Sequence, residues 1–225
     1  GGAVVLGARE CSVQRRHQKL IEETPAPGVS AEVYASTAGA VRDVVSALRY
    51  RGAGTVEMLQ DADGKLWFME MNTRLQVEHT VTEAVTGIDL VEWQLRVAAN
   101  QGLVDLDLSG APGGHAIECR INAEDVGQGF RPVPGRLDRL RLPTGPGIRV
   151  DTHLAEGDRI SPHYDSMFAK IIAHGPDRAT AISRMQGALS ALDVVGLPTT
   201  VPVHQAVLAH PRFQAGDYDT GFLES

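Results

Sequence analysis

The sequence predicts an α+β fold, and three observations lead to that prediction. Strand-like runs at 55–60 and 65–71, rich in β-branched and aromatic residues, flank a short turn, which is typical of a β-hairpin. Helix-start signals at Ser30 and Asp89 precede stretches with apolar residues at helical spacing. After the segment 110–114, which contains only glycine, alanine and proline, short strand patterns alternate with turns and one further helix pattern. We therefore expect a second α+β part that is distinct from the first.

Two helices are expected in the first part. Ser30 is a suitable cap for a helix that runs to about residue 50, where apolar residues recur on one face. Asp89 and Glu92 have the spacing of a capping box, which predicts a helix to about residue 100. Trp93 and the aliphatic residues of this second helix indicate that it is largely packed.

The hairpin arranges acidic side chains on one face. If the ends of the turn 61–64 pair with each other, Phe68 lies opposite Glu57 and Glu70 lies diagonally from it. Because side chains alternate along a strand, Glu70 then shares a face with Glu57, and Asn72 follows on that face. Two adjacent carboxylates repel each other without a counter-ion, so this arrangement favours a metal between them. A solvated hairpin face is the alternative for the two glutamates alone.

The residues that follow favour phosphoryl-transfer chemistry. Mg²⁺ prefers oxygen ligands and is typically held by one or two carboxylates together with substrate phosphates, as Glu57, Glu70 and Asn72 allow. Arg74 would then face the transferred anion. Glu78 lies beyond the strand, where a mobile or strained loop can carry a base.

A basic run at 14–19 precedes Glu22 and Glu23. Basic runs are usually exposed charge, and that interpretation stays open for this segment alone. In a chain of net charge −7, however, the run would also supply local positive charge that attracts a nucleotide or bicarbonate.

The segment 115–125 alternates as a strand does. His115, Ile117, Cys119 and Ile121 share one face, and Glu118, Arg120 and Asn122 share the other. A half-buried strand with a charged outer face is the simplest interpretation of this pattern.

Further elements complete the expected organisation. Residues 1–7 resemble an interior strand without the features of a signal peptide. Strands are expected at 136–142, 148–153 and 167–174, followed by a helix at about 176–193.

Composition excludes several classes of protein. The acidic balance and the lack of a basic stripe with interleaved aromatic residues argue against nucleic-acid binding. No apolar run reaches the length of about 18 residues that a membrane span needs. Cys11 and Cys119 lack metal-ligand or redox spacing, so reduced thiols and a cytoplasmic location are expected.

Several motifs together resemble the biotin carboxylase family, which comprises ATP-grasp enzymes that carboxylate biotin in acyl-CoA and pyruvate carboxylases. The motifs lie at 9–19, 52–57, 70–79, 118–125 and 163–167, in the family's order and approximate spacing. The resemblance implies the C-terminal part of an ATP-grasp domain at 1–108 and a mixed α+β biotin carboxylase C-terminal domain at 109–225.

The resemblance also implies roles for individual residues. The ligands of Mg²⁺ or Mn²⁺ would be Glu57, Glu70 and Asn72. ATP would contact Gln14, His17, Glu57, Leu59, Glu70 and Leu197. Bicarbonate would be held by Lys19, Arg74, Gln76 and Val77. Arg120 would bind the ureido oxygen of biotin, and Glu78 would be the general base. The residues that act in catalysis would be Lys19, Arg74, Glu78 and Arg120.

The implied reaction has two stages. Glu78 would deprotonate bicarbonate as it attacks the γ-phosphate of ATP, which yields carboxyphosphate and ADP. Carboxyphosphate would release CO₂ and phosphate, the phosphate would deprotonate biotin, and Arg120 would stabilise the charge on the ureido oxygen. The implied partners are a biotin carboxyl carrier domain, a carboxyltransferase component and a second copy of the chain, with Arg149 at the dimer interface.

The resemblance lacks two elements. The chain contains neither a glycine-rich loop that covers phosphates nor the lysines that the earlier half of an ATP-grasp supplies. We therefore expect a fragment of an acyl-CoA carboxylase component that is inactive alone. Two alternatives stay open: another ATP-grasp ligase, against which Arg120 argues by resemblance, and a non-catalytic assembly module.

Overall fold

The computed structural model describes residues 2–224 of the chain. The chain divides into two compact units. The first comprises residues 2–10 and 24–113, and the second comprises residues 11–23 and 114–224. The predicted domain boundary between residues 108 and 109 stays a prediction.

The regular elements have the following bounds. The helices are α1 (Ala31–Ala47), α2 (His79–Thr86), α3 (Leu90–Ala98), α4 (Arg178–Ala191), α5 (Val201–Ala209) and α6 (Pro211–Ala215). The strands are β1 (Glu10–Arg15), β2 (Gln18–Thr24), β3 (Thr55–Gln60), β4 (Leu66–Asn72), β5 (His115–Asn122), β6 (Glu124–Asp125), β7 (Arg131–Pro132), β8 (Gly135–Arg136), β9 (Arg139–Arg141), β10 (Ile148–Thr152), β11 (Arg159–Ile160), β12 (Met167–Gly175) and β13 (Asp193–Val195). Short 3₁₀ helices lie at Leu103–Asp105 and Val126–Gln128.

The helix starts of the first unit follow from their capping residues. The Ser30 hydroxyl accepts a hydrogen bond from the Val33 amide (3.2 Å) at the start of α1, and Asp89 accepts one from the Glu92 amide (2.8 Å) at the start of α3. Both predicted caps are confirmed. The predicted packing of α3 is wrong, because none of its residues is buried and Leu95 is 68% exposed.

The second unit is built on a five-stranded sheet with the order β1-β2-β5-β12-β10. The strand β12 lies antiparallel to both β5 and β10. The helix α4 packs on the sheet through buried residues that include Ile182, Met185 and Leu189. The Asp177 carboxylate caps α4 by accepting a hydrogen bond from the Thr180 amide (2.7 Å). The α+β prediction is confirmed.

Three local predictions are corrected. Residues 2–9 form no strand, and Gly1 lies outside the described residues. The expected strand at 136–142 is divided into β8 and β9. The expected charged outer face of β5 is buried rather than solvated, since Glu118 is completely buried and pairs with Lys170 (Nζ to Oε2, 3.7 Å).

The two thiols differ in their surroundings. Burial of Cys119, and then the nearby charges of Glu22 and Glu118, raise the pKa of its thiol well above the ordinary value. Cys11 is half-buried. Because the thiolate is the reactive form, we expect iodoacetamide to alkylate Cys11 in the native protein and Cys119 only after unfolding. Peptide mass spectrometry after native and denaturing labelling measures this, and rapid native labelling of Cys119 would contradict it.

None of the helices within residues 2–224 has the length and apolar character that crossing a lipid bilayer requires.

Candidate active site

The β3–β4 hairpin brings the two predicted metal-binding glutamates together. The Asp61 amide donates to the Lys65 carbonyl (3.0 Å), so the strands pair one residue later than the sequence suggested. A register shift between Glu57 and Met58 then places Glu57 directly opposite Glu70, and Phe68 opposite Met58. The predicted diagonal arrangement is wrong. Because of the irregularity, the two carboxylates lie on one face and closer together than in the predicted diagonal arrangement.

Asn72 connects both carboxylates. Its Nδ2 donates to Glu57 Oε1 (3.3 Å) and to Glu70 Oε1 (2.9 Å). Its Oδ1 accepts from Arg74 Nη2 (3.1 Å). Four residues that the sequence predicted for metal and anion chemistry therefore form one hydrogen-bonded group.

A second set of hydrogen bonds connects this group to Arg9 through Gln76. Gln76 Nε2 donates to Glu57 Oε1 (2.5 Å), and Gln76 Oε1 accepts from Arg9 Nη2 (2.8 Å). Arg9 also donates to the hydroxyls of Thr55 and Thr82, both at 3.0 Å. Sequence reasoning assigned Arg9 no role, because its partners are distant along the chain and leave no local pattern.

The donor set suits a hard divalent cation. Two carboxylates and an amide are oxygen-bearing side chains of the type that Mg²⁺ and Mn²⁺ accept. Asn72 presents Nδ2 to the carboxylates, so ligation through its Oδ1 requires the amide to turn over. Within residues 2–224, no group of three or more His, Cys, Asp or Glu side chains could hold a metal. A site on this hairpin therefore depends on the amide and on substrate oxygens.

Glu78 occupies a buried position at the start of α2. It is the N-cap residue and is 2% exposed. Its predicted position beyond the strand is confirmed, and its role as a base stays a prediction. Its side chain makes no capping hydrogen bond to the helix. Gln76 is buried beside it in the chain, and Val77 is half-buried.

In the second unit, Arg120 is held by a buried carboxylate. Arg120 Nη2 forms an ion pair with Glu22 Oε1, and Glu22 is completely buried. The Arg120 side chain keeps 16% of its surface exposed. Sequence reasoning noted Glu22 but assigned it no role, since nothing in the sequence indicates which strand lies beside β2.

The other predicted residues of the second unit lie in two places. Gln14 is in β1 and Lys19 is in β2, and the two-residue turn between these strands has Arg16 and His17 in the left-handed region (φ 47° and 64°). His17 is exposed at this turn. Leu197 packs against the core of the unit beside Gly135, where an added β-carbon would lie 2.6 Å from Leu197 Cδ2.

Leu59, which the sequence assigned to ATP, lies in β3 of the first unit and is 50% exposed. Its contact with ATP, and the role of each other site residue, stay predictions.

The backbone of Arg120 is bound by α5. His204 Nε2 lies 2.7 Å from the Arg120 carbonyl oxygen, and the Thr200 hydroxyl donates to the same oxygen (3.1 Å). Burial lowers the pKa of His204 from about 6.5 to about 4. The imidazole is therefore neutral at pH 7 and donates from Nε2 to the carbonyl.

The lowered pKa of His204 predicts a pH dependence of stability. Between about pH 6.5 and 4 the unfolded chain binds a proton on His204 that the folded chain does not. The free energy of unfolding therefore decreases as the pH is lowered through this range. The contribution is complete above about pH 6.5, and about 3 kcal/mol of it is lost by pH 4. Urea titrations of the wild type and of His204→Gln across this range measure it. Parallel pH profiles of the two proteins would contradict it.

Two family models match the chain in succession. The carbamoyl-phosphate synthase L chain ATP-binding domain matches residues 1–106, and the biotin carboxylase C-terminal domain matches residues 118–225. The second model separates this chain from other ligases that share the ATP-binding domain. The chain contains a biotin carboxylase C-terminal domain.

A biotin carboxylase and a related carboxylase subunit are similar to this chain over all or nearly all of its length. A biotin carboxylase of Nostoc sp. is 47% identical over 224 residues, which are 100% of this chain and 50% of the relative. The mitochondrial methylcrotonoyl-CoA carboxylase subunit alpha of Mus musculus is 46% identical over 99% of this chain and 31% of its own length. The chain thus covers half or less of each of these two relatives.

A solved structure has the same fold. The biotin carboxylase domain dimer of Hydrogenobacter thermophilus 2-oxoglutarate carboxylase, in complex with MgADP, ADP and bicarbonate, aligns with a TM-score of 0.94 at 42% identity. The alignment covers 97% of this chain and 48% of that one. This similarity supports the predicted fold of a partial ATP-grasp domain followed by a biotin carboxylase C-terminal domain.

Proposed function

We propose that the chain is part of a biotin carboxylase, which uses ATP and bicarbonate to carboxylate biotin through carboxyphosphate. The acceptor is biotin on a carrier protein, and the parent protein is a component of an acyl-CoA carboxylase. One observation carries the proposal: Glu57 and Glu70 lie opposite each other, with Asn72 bonded to both and to Arg74. This is an arrangement suited to a metal-bound triphosphate, in a chain 47% identical to a biotin carboxylase.

The first unit supplies the residues for phosphoryl transfer. Glu57, Glu70 and Asn72 hold Mg²⁺ or Mn²⁺, which when bound neutralises charge on the phosphate oxygens. Arg74, with Gln76 and Val77, holds bicarbonate. The hydrogen bonds from Arg9 through Gln76 to Glu57 keep this set in place.

Proton transfer in the first unit is assigned to Glu78. Its carboxylate accepts the bicarbonate proton as the oxygen attacks the γ-phosphate. Its buried position at the start of α2 keeps the carboxylate away from bulk water.

The second unit supplies the residues for nucleotide and biotin. Gln14, His17 and Leu197 are the ATP-binding residues that we assign to this unit, and Lys19 is its bicarbonate-binding residue. Arg120 donates to the ureido oxygen of biotin as negative charge develops there. Its ion pair with Glu22 orients the guanidinium before substrate arrives.

The proposed partners are a biotin carboxyl carrier domain, a carboxyltransferase component and a second copy of the chain. Arg149, the residue that we propose for the dimer interface, lies on the edge strand β10 and pairs with Asp151 (Nε to Oδ1, 2.8 Å). We propose the cytoplasm as the location. Because the chain spans about half of its relatives, we expect turnover only when the preceding half of the enzyme is supplied.

Measurement of ADP release tests the proposal. The chain is assayed alone and together with the preceding part of its parent, with bicarbonate and free biotin. We expect biotin-dependent release only in the reconstituted protein, and its loss in Glu78→Gln. Glu32→Gln, which removes an exposed carboxylate in the first turn of α1, is the matched control and keeps full activity. No biotin-dependent turnover by a folded, reconstituted protein would reject the proposal and favour an assembly module.

A further inference from the structure

The start of α5 is bonded to the strand that carries Arg120. The Thr200 amide donates to the Asn122 carbonyl (3.1 Å), and the Thr200 hydroxyl oxygen accepts from the Asn122 amide (3.1 Å). The same hydroxyl donates to the Arg120 carbonyl (3.1 Å), which His204 Nε2 also contacts at 2.7 Å. Three backbone groups around Arg120 are thus bound by two residues one helical turn apart.

These bonds are not explained by the stability of the helix. A threonine at an N-cap usually accepts a hydrogen bond from the first turn of its own helix. Thr200 is the N-cap residue of α5 and makes no such bond, because its hydroxyl is used by β5. The Thr200 side chain therefore bonds the strand β5 and leaves the first turn of α5 without a side-chain cap.

Burial of the His204 imidazole costs free energy. His204 is completely buried, and its Nδ1 has no hydrogen-bond partner within the described part of the chain. An aliphatic residue would fill this volume without burying an unsatisfied nitrogen. What His204 adds over leucine is the Nε2 donor to the Arg120 carbonyl.

We infer that Thr200 and His204 are positioning residues for Arg120, which hold its backbone while Glu22 holds its guanidinium. Arg120 is then held at its backbone and at its guanidinium, so the direction of the guanidinium does not depend on the substrate. A group aimed at an oxygen that gains charge in the transition state loses effect when displaced by a fraction of an ångström to one ångström. This inference rests on the proposed function, in which Arg120 acts on biotin.

Three substitutions of His204 separate positioning from packing. In His204→Gln the side-chain amide nitrogen reaches the position of Nε2, in His204→Asn the same amide is too short, and His204→Leu has no donor. Leu189→Ala in α4 is the control, since Leu189 is 1% exposed and its truncation destabilises the same unit without removing a hydrogen bond to Arg120. All variants are made in the reconstituted protein.

We expect kcat/KM for free biotin to fall about 10- to 100-fold in His204→Leu and His204→Asn. His204→Gln and Leu189→Ala are expected to stay within about twofold to threefold of the wild type. ATP cleavage that depends on bicarbonate but not on biotin is expected to be unchanged in all four, because Arg120 acts only on biotin.

A readout without turnover completes the test. Nitrogen-15 NMR of the arginine side chains, with the Arg120 signal assigned by Arg120→Lys, reports whether that guanidinium is held. We expect the signal to broaden or shift in His204→Leu and to stay in place in Leu189→Ala. If His204→Leu matches Leu189→Ala in both the NMR and the biotin kinetics, the inference is wrong. A wild type that shows no biotin-dependent turnover rejects the proposed function instead, and the NMR comparison still decides the positioning role.

Discussion

Arg120→Met is expected to lower kcat/KM for biotin by about 100- to 1,000-fold in the reconstituted protein, because it removes the donor proposed for the ureido oxygen. Biotin-independent ATP cleavage should change little. Arg120→Lys should recover only part of the loss, since lysine keeps the charge but lacks the planar guanidinium that pairs with Glu22. Steady-state ADP release at varied biotin concentration measures the effect.

Loss of Arg120 also leaves the completely buried Glu22 without this cation, so folding must be controlled. The double variant Arg120→Met with Glu22→Gln is expected to recover thermal stability without recovering biotin turnover. Arg136→Met is a second control, because Arg136 and its distant partner Asp138 (3.8 Å) are both 62% exposed. Recovery of turnover in the double variant would show that Arg120 acts through folding alone.

Arg178→Met is expected to lower the free energy of unfolding of the second unit by about 3 to 5 kcal/mol, because it leaves a buried carboxylate without its cation. Arg178 Nε and Nη2 bond Glu23 Oε2 and Oε1 at 2.7 and 2.9 Å. His115 and Tyr218 bond the same carboxylate, which is completely buried. Urea unfolding followed by circular dichroism measures the change.

The pKa of Glu23 shows which interactions stabilise its carboxylate and would be lost in Arg178→Met. Burial alone would raise this pKa, but hydrogen bonds from His115 and Arg178 and the charge of Arg178 outweigh burial and hold it below the ordinary value. Arg178 also donates to the carbonyls of Phe213 and Gln214 (2.6 and 2.7 Å), so its loss releases the C-terminal segment as well.

A matched substitution distinguishes a buried pair from an exposed one. Arg139 pairs with Asp193 at 3.3 Å, but these side chains are 50% and 38% exposed. Arg139→Met is therefore expected to cost less than about 1 kcal/mol. Equal effects of Arg139→Met and Arg178→Met would contradict the importance of the buried cluster.

Local signals predicted much of the secondary structure. The caps at Ser30 and Asp89 and the helix near 176–193 depend on residues within one turn of each other, so the sequence was sufficient to locate them. The hairpin was also predictable, but its register was not. The pairing of Asp61 with Lys65 and the irregularity beside Glu57 depend on small differences in backbone geometry that residue types do not specify.

Sequence by itself determined which chemistry-bearing residues this protein has. They are the pair Glu57 and Glu70, Asn72 at the end of their hairpin, Arg74 between strand and helix, and Arg120 on a strand. Only the tertiary structure decided what supports them. Glu22 and His204 contact Arg120, and Arg9 bonds Gln76, which in turn bonds Glu57. The residues that meet in the contacts of Glu22, His204 and Arg9 are many tens of residues apart along the chain, and burial lowers the pKa of His204. Such contacts depend on which elements pack together, because burial and pairing are properties of the folded chain rather than of local pattern.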